Sequence, residues 1–268
     1  MHHPDYPASQ QSLTAMKARI QKIVAAVLFM ATFAPVCAQT VDDITFITED
    51  YPPFNFERDG KRQGIAVDVL VEMLALIGAK KTRADIKVWP WARGYETVLK
   101  EKNTVLFSTT RTDAREYLFK WVGPIMPSRI VLVAKKKHGI KIDTIEDIKK
   151  ANYRIGVVRE DIGEQLLATS GVSKDQTLQA NSGVSVAKML QAGRVDMWAY
   201  GDQVILWNLK ELGYPTGDYE EVYTLAESQR YYYALNKDTD DKLVAKLQAA
   251  LEQVKAKGKF NEIVERYR

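Results

Sequence analysis

One short loop of this chain combines the residue types that bind carboxylates. The segment FSTTRTDAREYLF, residues 107–119, gathers hydroxyl side chains, two arginines and an aspartate between a predicted strand and a predicted helix. A guanidinium can hold a carboxylate through two parallel hydrogen bonds, and hydroxyl groups can donate further ones. The same residue types also occur in ordinary solvated loops. The surrounding elements must therefore decide between a binding loop and a surface loop.

Beyond position 38 the chain has few of the cysteine and histidine residues that nucleophilic or metal-dependent catalysis would need. The only cysteine, Cys37, precedes this point, and the only later histidine is His138, in a basic loop. Neither a Ser–His–Asp triad nor a metal-ligand cluster can be assembled from this set. Chemistry run by the carboxylates Glu160, Asp161 or Asp202 stays open as an enzymatic alternative. The sequence predicts neither a cofactor nor a metal.

The first residues predict export from the cytoplasm. Three basic residues precede the apolar run of residues 23–33, and the small residues that favour cleavage stand at positions 36 and 38. We therefore predict a signal peptide over residues 1–38, translation starting at Met16, and a periplasmic protein beginning at Gln39. Acylation of Cys37 is disfavoured because a valine precedes it.

Charge and composition narrow the class of partner. The chain has a formal net charge of +4 at pH 7 and 46% hydrophobic residues. Beyond position 38 the only compact basic run is residues 135–137, which is typical of a solvated loop and does not predict nucleic-acid binding. The apolar content is enough for one large core or two modest ones.

The elements that must position the donor loop alternate between strands and helices. Strand patterns at residues 44–48, 86–88 and 104–109 are separated by an apolar helix that ends at Gly78 and by WPWARGYETVLK. This rhythm predicts a parallel α/β sheet.

A second unit repeats the rhythm after residue 140. Thr144 with Asp147 has the spacing of a capping box, and Asp161 with Glu164 shares it at the start of the helix that follows strand 154–158. Asp202 is a candidate cap for the helix after strand 194–200. A predicted loop rich in tyrosine and acids then leads to a strand at Arg230, and two helices end the chain.

Two apolar strands, residues 129–134 and 230–235, connect these units in opposite directions. We predict two Rossmann-like lobes joined by a two-strand hinge. Lobe 1 comprises residues 39–131 and 232–268, and lobe 2 comprises residues 132–231.

Five motifs, in this order, resemble those of the family 3 extracellular solute-binding proteins, the periplasmic receptors of polar amino-acid ABC importers. They are YPPFNF, GIAVDVLVEML, TTRTDAR, AGRVDMWAYGD and GKFNEIVERY, and they cover essentially all of the chain after residue 38. The resemblance implies a type II periplasmic binding fold that closes by hinge motion around a small polar solute. It also implies a monomer whose partner is an ABC permease in the inner membrane.

The resemblance assigns roles to residues of the donor loop and the opposite lobe. Arg115 would grip the α-carboxylate of the ligand, and Asp202 would receive its α-ammonium group, although capping explains Asp202 equally. Further candidate ligand contacts are Tyr51, Trp91, Ser108, Thr110 and Thr112. For Arg111 the sequence favours neither an orientation into the cleft nor one into solvent, so both stay open.

One segment departs from the pattern of the family. Where many members place a small hydroxyl pair, this chain has Arg159, Glu160 and Asp161. Two acids beside the cleft would repel a carboxylate unless Arg159 screens them or they point away. Arg159 and Asp161 therefore join the candidate ligand contacts, and a cationic ligand or one with an extra amine is favoured. A dehydratase-like enzyme and a ligand sensor that docks on a membrane receptor are the alternative functions.

Overall fold

The computed structural model describes residues 39–268, so the predicted signal peptide lies outside the described residues. Eleven strands occur within this range. Their bounds are β1 (Thr45–Thr48), β2 (Phe56–Arg58), β3 (Lys61–Gln63), β4 (Lys87–Val88), β5 (Thr104–Thr110), β6 (Phe119–Val122), β7 (Pro127–Lys135), β8 (Ile155–Val158), β9 (Thr177–Ala180), β10 (Met197–Gly201) and β11 (Tyr219–Asn236).

Eight α-helices accompany the strands of the described range. They are α1 (Ile65–Leu76), α2 (Trp91–Lys100), α3 (Ile145–Lys150), α4 (Ile162–Thr169), α5 (Gly183–Gln191), α6 (Asp202–Glu211), α7 (Asp241–Ala256) and α8 (Lys259–Glu265). The alternation of strands and helices confirms the predicted α/β class. None of the helices in residues 39–268 is both long and apolar enough to cross a bilayer.

Nine strands form one sheet with two parallel ends. Its order is β4–β1–β5–β11–β7–β10–β8–β9, with β6 paired to β11. The pairs β1–β4, β1–β5, β8–β9 and β8–β10 are parallel, whereas β11 runs antiparallel to β5, β6 and β7. We call β4, β1, β5, β6 and the end of β11 the first half of the sheet, and β7, β8, β9, β10 and the start of β11 the second half. The long strand β11 is thus common to both halves.

The predicted lobe boundaries fall inside strands: residue 131 lies within β7 and residue 231 lies within β11. Tyr231 pairs with Thr110 in the first half, and Arg230 pairs with Pro127 in β7. The change of pairing partner therefore occurs at the predicted return crossing. The assignment of whole segments to two lobes stays a prediction.

Residues 219–229 were predicted as a loop, and the prediction is wrong. They form the first part of β11 and pair with β7 from Tyr219 opposite Lys135 onward, with several register shifts. Tyrosine, valine and threonine favour strands, but the interspersed glutamates gave the segment a loop-like composition. The decisive factor is the partner strand, which lies far away in sequence and satisfies the backbone groups of this segment.

Of the two capping boxes predicted from the sequence, one is present and one is absent. The Thr144–Asp147 capping box is present, with the Thr144 amide donating to Asp147 at 2.8 Å. At α4 the predicted box is absent, because Glu164 accepts from the Glu160 amide and not from Asp161. The segment after β5 is not an α-helix but a single 3₁₀ turn, Asp113–Arg115.

A glycine fixes the approach of the first loop to α1. Gly64 has φ of 116°, and a β-carbon at this position would lie 2.5 Å from the Phe54 carbonyl oxygen. Only glycine combines this φ with so close a backbone contact. The loop after β1 is thereby held against the start of α1, which positions its residues beside the ends of the strands.

Candidate functional site

A cluster of buried polar side chains lies where the two halves of the sheet meet. Its members are each less than a tenth exposed; they are Glu49, Tyr51, Ser108, Arg115, Asp161, Tyr200 and Tyr231, and we call them the buried polar cluster. Most follow or end a strand: Glu49 comes directly after β1, Asp161 follows β8, and Tyr200 stands near the end of β10. Ligands of open α/β sheets bind at this edge, outside the carboxyl ends of the strands.

Aromatic side chains close the junction between the halves. The hydroxyl oxygens of Tyr51 and Tyr231 are 2.9 Å apart, and the ring of Tyr51 meets that of Tyr200 edge to face with centroids 5.0 Å apart. Gly201 permits this approach, because a β-carbon there would lie 2.4 Å from the Tyr51 hydroxyl and 2.9 Å from that of Tyr231. The structure therefore describes a conformation in which the two halves are in contact.

Arg115 is the cation of the cluster and is 1% exposed. Its Nε donates to Gln165 Oε1 at 2.9 Å and its Nη1 donates to the Thr110 carbonyl at 3.2 Å. Its Nη2 is buried without a hydrogen-bond partner among residues 39–268. The guanidinium lies near the rings of Trp91 and Tyr95, 5.7 and 5.1 Å from their centroids. Burial lowers the pKa of Arg115 from its ordinary value. The N–H groups of Nη2 thus remain available for an anionic group.

Two carboxyl groups share the cluster with this single guanidinium. Burial raises the pKa of Asp161 to about 6, although Arg115 and the amides at the start of α4 act in the opposite direction. Burial also raises the pKa of Glu49 well above its usual range, and the negative charges of Asp161 and Asp50 add to the effect. Desolvation disfavours the charged form of a carboxyl group, so both acids bind protons readily in this conformation.

Trp91 and Thr110 were predicted as ligand contacts and lie beside the cluster. Trp91 is buried, and its Nε1 donates to the Glu160 carbonyl at 2.9 Å, which connects the first half to the second. It is the first residue of α2. The Thr110 hydroxyl lies 3.2 Å from that of Ser128. Ser108 is strained, with φ of 61°, and its hydroxyl has no hydrogen-bond partner in the described part of the chain.

Three other predicted contacts lie outside the cluster. Arg111 donates to the Glu116 carboxylate, with its Nε 2.7 Å from Oε2, and packs on the rings of Trp121 and Tyr232. Thr112 precedes the 3₁₀ turn and is partly exposed. Arg159 is exposed and donates to Gln179 at 3.2 Å. A role for these residues in ligand binding stays a prediction.

Asp202 lies at the rim of the cluster and pairs with a different arginine. It is the first residue of α6 rather than the residue before the helix, and it accepts from the Gln203 amide at 2.6 Å. Its Oδ2 is 3.9 Å from Arg129 Nη1. Burial raises its pKa, and its charge in turn raises the pKa of Tyr231, which places the carboxylate near the cluster. The predicted bridge from Arg115 to Asp202 across a ligand stays a prediction.

Glu49, Tyr200 and Gln165 belong to or contact the cluster but were not predicted from the sequence. Glu49 follows a buried strand directly, and an acid at the carboxyl end of a strand is a signal that could have been used. Tyr200 occupies an apolar strand and was indistinguishable from a core residue. Gln165 lies inside α4, and only the contact between the halves brings it to Arg115.

Carboxylate side chains that lie close together can also bind a metal ion. Within residues 39–268 no group of three or more histidine, cysteine, aspartate or glutamate side chains is arranged to hold an ion. The chemistry that the cluster does offer is recognition by hydrogen bonds and charge: one guanidinium donor, two carboxyl groups and several phenols in a desolvated space.

The family model of the bacterial extracellular solute-binding proteins, family 3, matches residues 44–268. A search among curated proteins returned no match. Solved structures with the same fold include a histidine-bound substrate-binding protein of an ABC uptake transporter from Streptococcus pneumoniae. It has a TM-score of 0.73 at 20% identity, covering 84% of this chain and 92% of that one.

Two further structures share the fold. The arginine-, lysine-, histidine-binding protein ArtJ from Geobacillus stearothermophilus has a TM-score of 0.68 at 20% identity, covering 84% of this chain and 94% of that one. A histidine kinase sensor domain similar to periplasmic binding proteins has a TM-score of 0.72 at 19% identity, covering 83% of this chain and 95% of that one.

Replacing Gly201 tests the contact between the halves. Gly201→Ala places a methyl group against the Tyr51 and Tyr231 hydroxyls, so we expect a larger radius of gyration by small-angle scattering and a loss of about 1–3 kcal/mol in unfolding free energy. Gly217→Ala is the matched control, because a β-carbon there meets no atom within 4 Å. Identical scattering and stability for the two variants would contradict the described contact.

The raised pKa of Asp161 predicts a pH-dependent effect of its replacement. A carboxyl group whose pKa is raised by folding adds stability at acid pH that is lost as the pH rises through its folded value of about 6. Asp161→Asn cannot ionise, so it should be more stable than the parent at pH 8, by up to about 3 kcal/mol, and equal to it near pH 4. Urea unfolding of both proteins across this range measures the difference. A difference that does not change with pH would show that Asp161 is not buried in the free protein.

Proposed function

Because the chain belongs to family 3 of the bacterial extracellular solute-binding proteins, we propose that it captures a small polar solute in the periplasm and delivers it to an ABC importer. The solute is an amino acid or a related amine. The two halves of the sheet close around it, and the transporter recognises the closed shape. The protein acts by binding and release and performs no reaction on its ligand.

The observation that carries this proposal is the incomplete hydrogen bonding of the buried polar cluster. Arg115 Nη2, Asp161 Oδ2 and the hydroxyls of Ser108 and Tyr200 are buried without partners in the described chain. Unpaired buried polar atoms cost about 1–3 kcal/mol each, and native proteins keep few of them. A ligand with a carboxylate and an ammonium group would satisfy the guanidinium and the carboxylate together.

Closure of this kind also explains why the cluster is shared between the halves. Arg115 belongs to the first half, whereas Asp161 and Tyr200 belong to the second. A ligand that bridges them gains both sets of contacts only when the halves meet, so it shifts the population toward the closed form. Tyr51 and Trp91 would supply the walls of the site.

A sensor role is the second candidate, favoured by the fold similarity to a histidine kinase sensor domain. The same ligand site would serve it, but the closed form would dock on a membrane receptor in place of a permease. Uptake of labelled ligand by cells that do or do not carry the gene separates the two roles. Loss of uptake without the gene supports import, whereas unchanged uptake with a lost transcriptional response supports sensing.

Replacing Arg115 tests the carboxylate contact. Arg115→Ala should weaken binding of the amino acid found in a thermal-shift screen by a hundredfold or more, because a buried charge-assisted hydrogen-bond pair is lost. Calorimetry with the same ligand measures the change. Arg154→Ala is the control, since Arg154 is exposed and pairs with Asp196 on the surface. Unchanged affinity in the Arg115 variant would exclude the guanidinium as the carboxylate site, and a screen that detected conversion of the ligand would favour an enzyme.

The role of Asp202 is tested by comparing ligands with and without an amine. Asp202→Asn should weaken amine-bearing ligands most, because only they need the carboxylate; Asp161→Asn serves as the internal comparison for the acid inside the cluster. Calorimetry on both variants assigns the ammonium contact to one acid or the other. Equal losses for ligands that lack an amine would count against Asp202.

A further inference from the structure

A short hairpin between β1 and α1 stands apart from the large sheet. Its strands, β2 and β3, pair only with each other and are joined by the two-residue turn Asp59-Gly60, with φ of 53° and 71°. Positive φ at both turn positions is the geometry of a type I′ turn, which keeps the strands paired up to the tip. A two-stranded hairpin is only marginally stable by itself in water. Its side chains must therefore be stabilised by contacts with other elements.

The base of the hairpin is fastened to elements that accompany the first half of the sheet. Arg83, just before β4, donates through Nη1 to the Arg62 carbonyl of β3 at 2.9 Å. The ring of Phe56, in β2, lies edge to face against that of Tyr267, with centroids 6.2 Å apart. The Tyr267 hydroxyl in turn donates to Asp68 Oδ2 of α1 at 2.9 Å. The hairpin is thus held to α1 and to the segment before β4.

The other side of the hairpin contacts α6, the helix that directly follows β10 of the second half. The ring of Phe56 packs against that of Trp207 with centroids 5.7 Å apart, and Arg58 forms an ion pair with Glu211. Glu211 also accepts from Trp207 Nε1 at 3.2 Å, and the Arg58 guanidinium lies 5.6 Å from the centroid of the Phe56 ring. These four side chains therefore form one connected contact between the halves, which we call the peripheral latch.

The peripheral latch is separate from the hydrophobic cores and from the buried polar cluster. Phe56 is 5% exposed, yet among residues 39–268 neither Phe56 nor Trp207 is a member of the two hydrophobic clusters. The side chains of Arg58 and Glu211 are 45% and 43% exposed. A half-exposed ion pair contributes little by itself, whereas a packed aromatic pair contributes more than its buried area. Most of the stabilisation therefore comes from the two rings, and the ion pair aligns them.

We propose that the peripheral latch is a conformational device that favours contact between the two halves without touching the bound solute. Its contacts exist only while α6 lies against the hairpin, so they stabilise the closed arrangement and not an open one. The affinity for a solute that needs the closed form rises with the fraction of protein in that form. The latch thereby raises affinity from outside the site. The contact is independent of the proposed function, whereas its effect on affinity rests on it.

Charge reversal tests the ion pair of the latch and includes its own rescue. Glu211→Arg and Arg58→Glu each place like charges opposite each other, so we expect each to enlarge the radius of gyration of the solute-free protein in small-angle scattering. The double variant restores an ion pair of opposite polarity and should return to the radius of the parent. Glu96→Arg is the matched control, because it reverses one charge of the exposed Glu96–Lys100 pair inside α2 and should leave the radius unchanged.

The effect on affinity is measured with the one of the twenty L-amino acids that most raises the melting temperature. We expect calorimetry to show that Trp207→Ala weakens its binding about tenfold and Glu211→Arg about threefold, because the rings contribute more than the ion pair. The double reversal of Arg58 and Glu211 should restore the affinity of the parent. Leu206→Ala is the control on the same helix, since Leu206 is 54% exposed and is not part of the latch.

Salt separates the two components of the latch. Raising the ionic strength from about 0.05 M to about 1 M screens a half-exposed ion pair. The difference in affinity between the parent and Glu211→Arg should therefore shrink. The difference between the parent and Trp207→Ala should persist, because the contact between the rings does not depend on charge.

The latch and the proposed function can fail separately. Scattering and affinity that are unchanged in both Trp207→Ala and Glu211→Arg would overturn the latch and leave solute binding standing. A double reversal that behaves like the single reversals would overturn the role of the ion pair. If no amino acid raises the melting temperature, the proposed function loses its support, and scattering from the solute-free variants still decides whether the latch holds the halves together.

Discussion

The structure depends on the burial of one guanidinium beside two carboxyl groups at the junction of the two sheet halves. Arg115 is almost wholly excluded from water, yet protein groups satisfy only part of its donor capacity. Burying a cation in this way is expensive unless opposite charges and hydrogen bonds compensate it. The negative charge of Asp161 stabilises the charged form of Arg115. Gln165, from the opposite half, accepts a hydrogen bond from the guanidinium. The stability of the closed arrangement therefore depends on how these few polar groups are paired.

The sheet makes this arrangement possible by presenting strand ends from both halves to one space. The parallel strands β1, β5, β8 and β10 end near the junction, and each is followed by a loop or turn that carries a polar side chain. β11 belongs to both halves, and β7 runs beside it, so the halves share a continuous backbone connection. Because the strand ends meet, the charged side chains Glu49, Arg115 and Asp161 are buried near one another, and tyrosine rings pack around them. Gly201 provides the clearance that these rings require.

The buried carboxyl groups of the cluster can be stabilised either by protonation or by contacts with a ligand. In the closed conformation burial raises the pKa values of Asp161 and Glu49, so both acids bind protons readily. A bound polar solute would occupy the hydrogen-bonding atoms of the cluster that have no partner among residues 39–268. Asp202, at the rim, is already compensated in part by Arg129, which is itself held by Glu221 and Glu227. Asp161 is buried beside Arg115, whereas Asp202 is half-buried beside Arg129, and this difference in burial distinguishes the two candidates for an ammonium contact.

The sequence alone determined the α/β class, most of the elements and the family, whereas the division into two lobes stays a prediction. These features are local or depend on order: apolar periodicity predicts α1 and β5, and five spaced motifs indicate the family. The resemblance to the family also made Arg115 and Asp161 candidate ligand contacts, Arg115 by its place in a motif and Asp161 as a departure from the pattern. Only the tertiary structure decided that Glu49 and Tyr200 join them, that Asp202 faces Arg129, and that residues 219–229 extend β11. The physical reason is the same in each case: burial, charge pairing and strand pairing are set by residues that lie far apart in the chain, and no local pattern records which of them will meet.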